Sequence, residues 1–199
     1  FYFGLVTIDG SYQGYTRFII PNEVVRDQIY TYLLDTYKEN DLTFEEFDKD
    51  KLASKMAYEG NFKPYFTYIA DSLKKFSSQR DRQKGEAYVH GFTLAMTSQC
   101  KFYRPISELG NEGGYADIFL SPLCDIYKDM TDSYIVELKY CKSNTSDSQV
   151  QQLFRDAAAQ VSRYAESNMV KELVKTTLLH KLVVVYRGVD MVVCEELEE

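Results

Sequence analysis

Apolar side chains recur along this chain with two different periods, and the switches between them mark its elements. Residues 1–8 and 15–20 alternate as strands do, with Asp9-Gly10 between them as the turn signal of a hairpin. Asn22 then stands as an N-cap before Val24, Val25, Ile29, Tyr32, Leu33 and Tyr37, which fall on one face of a helix. Helical spacing resumes over residues 43–58, with Leu52, Ala53 and Met56 inward. It returns over 62–76, with Phe66, Ile69, Ala70 and Leu73 inward. The run 77–84 is polar throughout and predicts a hinge or boundary; its Arg80, Arg82 and Lys84 read as a solvated loop.

Beyond that run the order changes. Residues 85–98 form a helix with Tyr88, Val89, Phe92, Ala95 and Met96 as its apolar stripe, and Glu86, His90, Thr93 and Thr97 as a polar one. Glu86 and His90 are four apart and therefore neighbours. Alone, that pair reads as an ordinary surface contact, and His90 is expected to be structural. Residues 101–107 read as an edge strand because of Pro105, and 108–114 as a turn. Two more strands follow, Gly-Tyr-Ala-Asp-Ile-Phe-Leu (114–120) and Tyr-Ile-Val-Glu-Leu-Lys-Tyr (134–140). A helix over 148–167 carries Val150, Leu153, Phe154, Ala157, Val161 and Tyr164 inward, with Gln160 at the edge of that stripe. The unbroken apolar run 182–186 predicts a central strand, 191–194 a returning one, and the acidic tail 195–199 a frayed end. His180 is expected to be incidental.

The strands 114–120 and 134–140 hold the candidate chemistry. Side chains alternate across a strand, so Asp117 shares a face with Tyr115 and Phe119, and Glu137 and Lys139 share a face with Ile135. Charges in an otherwise apolar strand are costly to desolvate unless paired or bound to a metal. The residues alone allow a structural ion-pair cluster or a cation site. Two carboxylates on adjacent strands offer hard oxygen ligands, suited to Mg²⁺ or Mn²⁺. Lys139 on the same face is placed to orient an attacking water or to offset developing negative charge.

Composition narrows the picture. The chain has 199 residues, 45% hydrophobic and 27% charged, the profile of an ordinary globular domain. Its net charge of −7 argues against a broad basic surface for nucleic acid while leaving room for a local basic path. Cys100, Cys124, Cys141 and Cys194 form no C-x-x-C pair, and free thiols in the reducing cytoplasm are the expectation. No apolar run is long enough to span a bilayer, so no membrane partner is expected. The opening Phe-Tyr-Phe-Gly reads as the inside of a strand, and hence as a fragment of a longer protein.

Asp117 followed by Glu137-Leu138-Lys139 resembles the D…(D/E)-x-K core of the PD-(D/E)XK nuclease superfamily, with Ala116 where the name motif has Pro. Glu86 matches the acidic residue that this superfamily places on the helix before the sheet, and Gln160 the Gln that some members carry on the helix after it. The wider phrasing, including Ala-Ala-Ala-Gln-Val-Ser-Arg-Tyr (157–164), resembles the nuclease-like domain C-terminal to an AAA-type ATPase domain in many Bacteroides-type bacterial proteins. The resemblance implies an α+β (α/β) fold, a restriction-endonuclease-like αβββαβ core with a central mixed sheet, over residues 79–199. Residues 1–78 would then be a hairpin and helical connector to an N-terminal ATPase domain of the full-length protein. It implies a Mg²⁺- or Mn²⁺-dependent phosphodiesterase acting on nucleic acid, and on DNA in particular. Asp117, Glu137 and the Leu138 backbone carbonyl would ligate the metal. Lys139 would activate or position water, Glu86 would assist the metal or its water, and Gln160 would orient Lys139 or a phosphate. The rival reading is an inactive nuclease fold serving as a binding or regulatory module. A weaker one is a nucleic-acid binder that does not cleave.

Overall fold

The structure is a computed structural model, and it describes residues 4, 6–12, 15–38, 46–77, 85–111 and 114–197. By their internal contacts they fall into two compact units, Phe1–Thr43 and Phe44–Glu199.

In the first unit, β1 (Thr7–Tyr12) pairs antiparallel with β2 (Tyr15–Ile19), and α1 (Glu23–Lys38) follows. Asp9-Gly10 is not the hairpin turn. Both residues lie inside β1, where the register shifts between Ile8 and Ser11. Gly10 has φ of 89°, a conformation glycine adopts without a Cβ clash and one that lets a strand absorb an extra residue as a bulge. Tyr12 pairs with Tyr15; residues 13–14, and residues 1–3 and 5 of the expected first strand, lie outside the described residues. Asn22 caps α1 as expected, its Oδ1 accepting from the Val25 N–H at 3.0 Å.

The second unit runs α2 (Glu46–Glu59), α3 (Lys63–Phe76), α4 (Glu86–Ser98), β3 (Tyr103–Asn111), β4 (Gly114–Pro122), β5 (Asp132–Cys141), α5 (Asp147–Ala165), α6 (Asn168–Val174), β6 (Leu178–Arg187) and β7 (Asp190–Glu196). The strands form one mixed sheet, ordered β3-β4-β5-β6-β7. Neighbours are antiparallel except β5 and β6, which are parallel. A parallel pair needs a long crossover, and α5 with α6 supplies it. From α4 to β6 the expected αβββαβ order is present, within an α+β fold.

Both faces of the sheet are covered. On one, Val150, Ala157, Val161 and Tyr164 of α5 pack on Phe119, Ile135, Val183 and Val185. On the other, α2, α3 and α4 lie over the buried Tyr134, Val136, Leu182, Val184 and Tyr186. The Tyr134 hydroxyl donates to the Met56 carbonyl of α2 at 2.7 Å. Each fully buried aliphatic or aromatic side chain of this kind stabilises the fold by about 1.5–3 kcal/mol. That burial explains why the compact division falls at 43/44 while sequence polarity suggests 78/79. Met56, Phe66, Ile69 and Leu73 are almost completely buried, so α2 and α3 belong to the sheet's core. Most of the polar run, residues 78–84, lies outside the described residues.

Other boundaries also moved. The expected turn at 108–114 is shorter, because β3 continues to Asn111, which pairs with Gly114. Helix α6 was not anticipated. Glu195 and Glu196 are not a frayed tail but the end of β7. His180 is not incidental. Its Nε2 meets Asp132 Oδ1 at 2.6 Å, its Nδ1 meets Glu196 Oε1 at 2.7 Å, and its ring stacks on Tyr134 at 4.8 Å between centroids. It therefore ties β5, β6 and β7 together where β5 begins. Among the described residues no helix is long and apolar enough to cross a membrane.

Replacing His180 with Ala removes the ring nitrogen at Asp132 Oδ1 and leaves the Thr131 hydroxyl on that buried carboxylate. Urea unfolding is expected to show a loss of roughly 1.5–3 kcal/mol, the range for a hydrogen bond to a charged group.

Candidate active site

The site grows from the place where β4 and β5 stop pairing through their backbones. The register couples Leu120 with Tyr134, Phe119 with Ile135 and Ile118 with Val136. One residue further on, side chains take over. The Leu138 N–H donates to Asp117 Oδ2 at 2.8 Å. The Asp117 carbonyl accepts from His90 Nε2 of α4 at 3.2 Å. A strand residue's N–H and C=O point to the same side, so the Leu138 carbonyl faces the same opening as its N–H.

Glu137 and Lys139 flank Leu138 on the face that α5 covers. The Lys139 Nζ donates to Glu137 Oε1 at 2.6 Å; the Glu137 side chain is 2% exposed and that of Lys139 22%. The second oxygen, Glu137 Oε2, is buried and finds no hydrogen-bond partner among the described residues. Burial pushes the Glu137 carboxyl above its ordinary range and the Asp117 charge adds to this, while the Lys139 hydrogen bond pulls it back. For Lys139, burial disfavours the cation. The Glu137 hydrogen bond, with the charges of Glu137, Asp117 and Glu86, outweighs it and holds the ammonium above its ordinary range. Lys139 is a cation at neutral pH.

The expected site residues are thus not equivalent. Asp117, Glu137, Leu138 and Lys139 are brought together in one contact set. Glu86 lies exposed in the first turn of α4, where its charge acts on Lys139. That position also suits the helix dipole. Gly85, just before it, has φ of 63° and turns the chain into α4 so closely over Tyr140 that a Cβ would sit 3.4 Å from its ring. Gln160 is half-buried on α5, and its Oε1 is buried without a partner among the described residues. His90 is a contact that sequence reasoning underweighted: its spacing to Glu86 was visible, but the carbonyl it reaches was not.

The model of one family matches residues 84–196, from the start of α4 to the end of β7, and its description is the PD-(D/E)XK nuclease superfamily. The chain belongs to this superfamily. No curated protein and no solved structure gives a significant match.

PD-(D/E)XK nucleases generally use divalent metals. The residues here fit such an ion. Glu137 Oε2 is a buried acceptor without a partner among the described residues, and three carboxylates (Glu86, Asp117, Glu137) act on one ammonium. Among the described residues no group of three or more His, Cys, Asp or Glu side chains stands close enough to hold a metal. The candidate donor set is therefore two carboxylates plus backbone oxygen. That suits Mg²⁺, which usually takes one or two protein carboxylates and keeps several waters.

The Lys139–Glu137 pair has a pH signature. In Lys139→Met the bond lowering the Glu137 pKa is gone, so its folded-state value rises further above the unfolded one. The native state then binds the extra proton, and stability falls as pH rises between those two values. Chemical denaturation is expected to show the gap between wild type and Lys139→Met widening as pH rises above the ordinary carboxylate range. The double variant Lys139→Met/Glu137→Gln is expected to lose that dependence.

Proposed function

We propose that this domain is a Mg²⁺- or Mn²⁺-dependent phosphodiesterase that hydrolyses DNA, working within a larger protein that also carries an ATPase domain. The observation that carries the reading is Glu137 Oε2: a buried carboxylate oxygen that finds no hydrogen-bond partner among the described residues, on the same sheet face as Asp117 and two residues from an ammonium. Bound there, a divalent cation supplies Lewis-acid charge for the scissile phosphate and a more acidic water.

The chain's own groups have distinct tasks. Asp117, Glu137 and the Leu138 carbonyl would hold the ion, with Asp117 Oδ2 already accepting from the Leu138 N–H. Lys139 stays protonated, so it works as a hydrogen-bond donor: one N–H holds Glu137 Oε1, and the other two orient the attacking water and offset charge on the phosphate. As water oxygen bonds to phosphorus, the water gives up a proton to solvent, the ester P–O bond breaks, and the leaving oxygen takes up a proton from solvent, so that protons balance. Glu86, exposed beside Lys139, assists the metal-bound water. The vacant Gln160 Oε1 accepts from Lys139 or holds the water that bridges to phosphate. Free thiols at Cys100, Cys124, Cys141 and Cys194 support a reducing, cytoplasmic location. The likeness of strands 114–120 and 134–140 to nuclease-like domains that follow an ATPase supports the ATPase linkage.

One observation favours a second reading. The net charge of −7 is poor for holding a polyanion, and fits a nuclease fold kept as a binding or regulatory module.

A mixed DNA panel incubated with Mg²⁺ or Mn²⁺ separates the two. Cleavage by wild type is expected to fall about 100- to 1000-fold in Lys139→Ala. In Asp117→Ala, cleavage and Mn²⁺ affinity by calorimetry are expected to fall together. Equal activity in all three proteins contradicts the assignment, and no Mn²⁺ binding by wild type at millimolar concentration favours the module.

A further inference from the structure

We infer that His90 is a positioning residue for Asp117: its Nε2–H holds the Asp117 carbonyl and so sets the carboxylate against the Leu138 N–H. The inference deepens the metal-site reading above and rests on it for its functional consequence. The geometry itself stands without any ion.

The β4–β5 ladder runs as far as Ile118 and Val136. Past it, two bonds of different origin act on Asp117 in addition to the β3–β4 ladder on either side of it. Its side chain accepts from the β5 backbone at 2.8 Å, and its own carbonyl accepts from α4 at 3.2 Å. A carbonyl only accepts, so the His90 Nε2 must carry the proton, which fixes the ring's hydrogen-bonding sense. On its other edge β4 stays in the sheet, since Ile118 and Ala116 on either side of Asp117 pair with Ser107 and Leu109 of β3, and it is on the β5 side that side chains replace the ladder. His90 is half-buried and sits on a helix that packs against β3, β4 and β5 at once. Glu86 lies one turn earlier on the same helix, where its charge acts on Lys139. One helical face therefore reaches both halves of the site: Glu86 acts on the ammonium by charge, and His90 on Asp117 by a directed bond. Groups that orient metal ligands in this way typically change affinity or activity about 10- to 100-fold when lost.

Three substitutions separate positioning from packing. His90→Leu fills the space without a donor. His90→Asn keeps a donor too short to reach the carbonyl. His90→Gln places an amide N–H near the position of Nε2. The first readout is hydrogen exchange in metal-free protein, at the Leu138 amide. His90→Leu and His90→Asn are expected to speed its exchange at least about tenfold, with Val183 and Val185 of β6 unchanged. His90→Gln is expected to stay within about threefold of wild type. The second readout is Mn²⁺ titration, in which Leu and Asn variants bind about 10- to 100-fold more weakly and Gln recovers.

Three results overturn the inference: wild-type protection of Leu138 in both His90→Leu and His90→Asn, equal loss in all three variants, or loss spread equally over Val183 and Val185. If His90→Leu does not fold, the contrast of Asn with Gln decides in the same way. A wild-type protein that takes up no Mn²⁺ defeats the metal reading, while the exchange data still decide whether His90 positions Asp117.

Discussion

One hydrogen bond determines how this site is built: the Leu138 N–H given to the Asp117 carboxylate instead of to a β4 carbonyl. A sheet satisfies its backbone by pairing, and a strand that leaves its partner must find other acceptors and donors. Here the replacement acceptor is an acidic side chain. The point where β4 and β5 part is therefore also the point where negative charge enters the sheet. The rest of the second unit keeps that opening in place. Helix α5 seals one face with apolar contacts, α2 and α3 seal the other, and α4 brings His90 and Glu86 over the gap.

Burial makes the charges consequential. Glu137 is almost fully enclosed, yet among the described residues only one of its oxygens finds a hydrogen-bond partner, a lysine two residues along the same strand. A buried ion pair with a spare lone-pair site is poor as a stabilising device, because desolvation offsets most of the attraction. The same arrangement suits a cation site, where the unsatisfied oxygen, the Asp117 carboxylate and a lysine held firmly in its charged form point to phosphate chemistry. The proposed mechanism uses Lys139 as a donor rather than as a base, since its neighbours raise rather than lower its pKa.

Much of this was legible in sequence, for physical reasons that can be named. Strand alternation put Asp117, Glu137 and Lys139 on one face, because charged residues in an apolar strand have few places to go. Helix periodicity placed α3, α4 and α5 to within a residue or two. What failed depended on contacts distant in sequence. Asp9-Gly10 has turn composition but sits in a bulge, since the pairing of β2 decided where β1 ends. His180 and Glu196 looked like loose ends until the sheet brought Asp132 beside them. Helices α2 and α3 were assigned by the polar run after them, whereas their buried faces place them with the sheet. The role of His90 was hidden for the same reason, because its partner is a backbone carbonyl 27 residues away.

The account rests on the opening between β4 and β5 being a cation site. The most direct measurement is a Mn²⁺-soaked crystal of the protein, read by anomalous scattering. The account predicts a peak in the opening, adjacent to the carboxylates of Asp117 and Glu137, with Lys139 still bonded to Glu137. A well-ordered site with no peak there, in crystals that take up Mn²⁺ elsewhere, would contradict it.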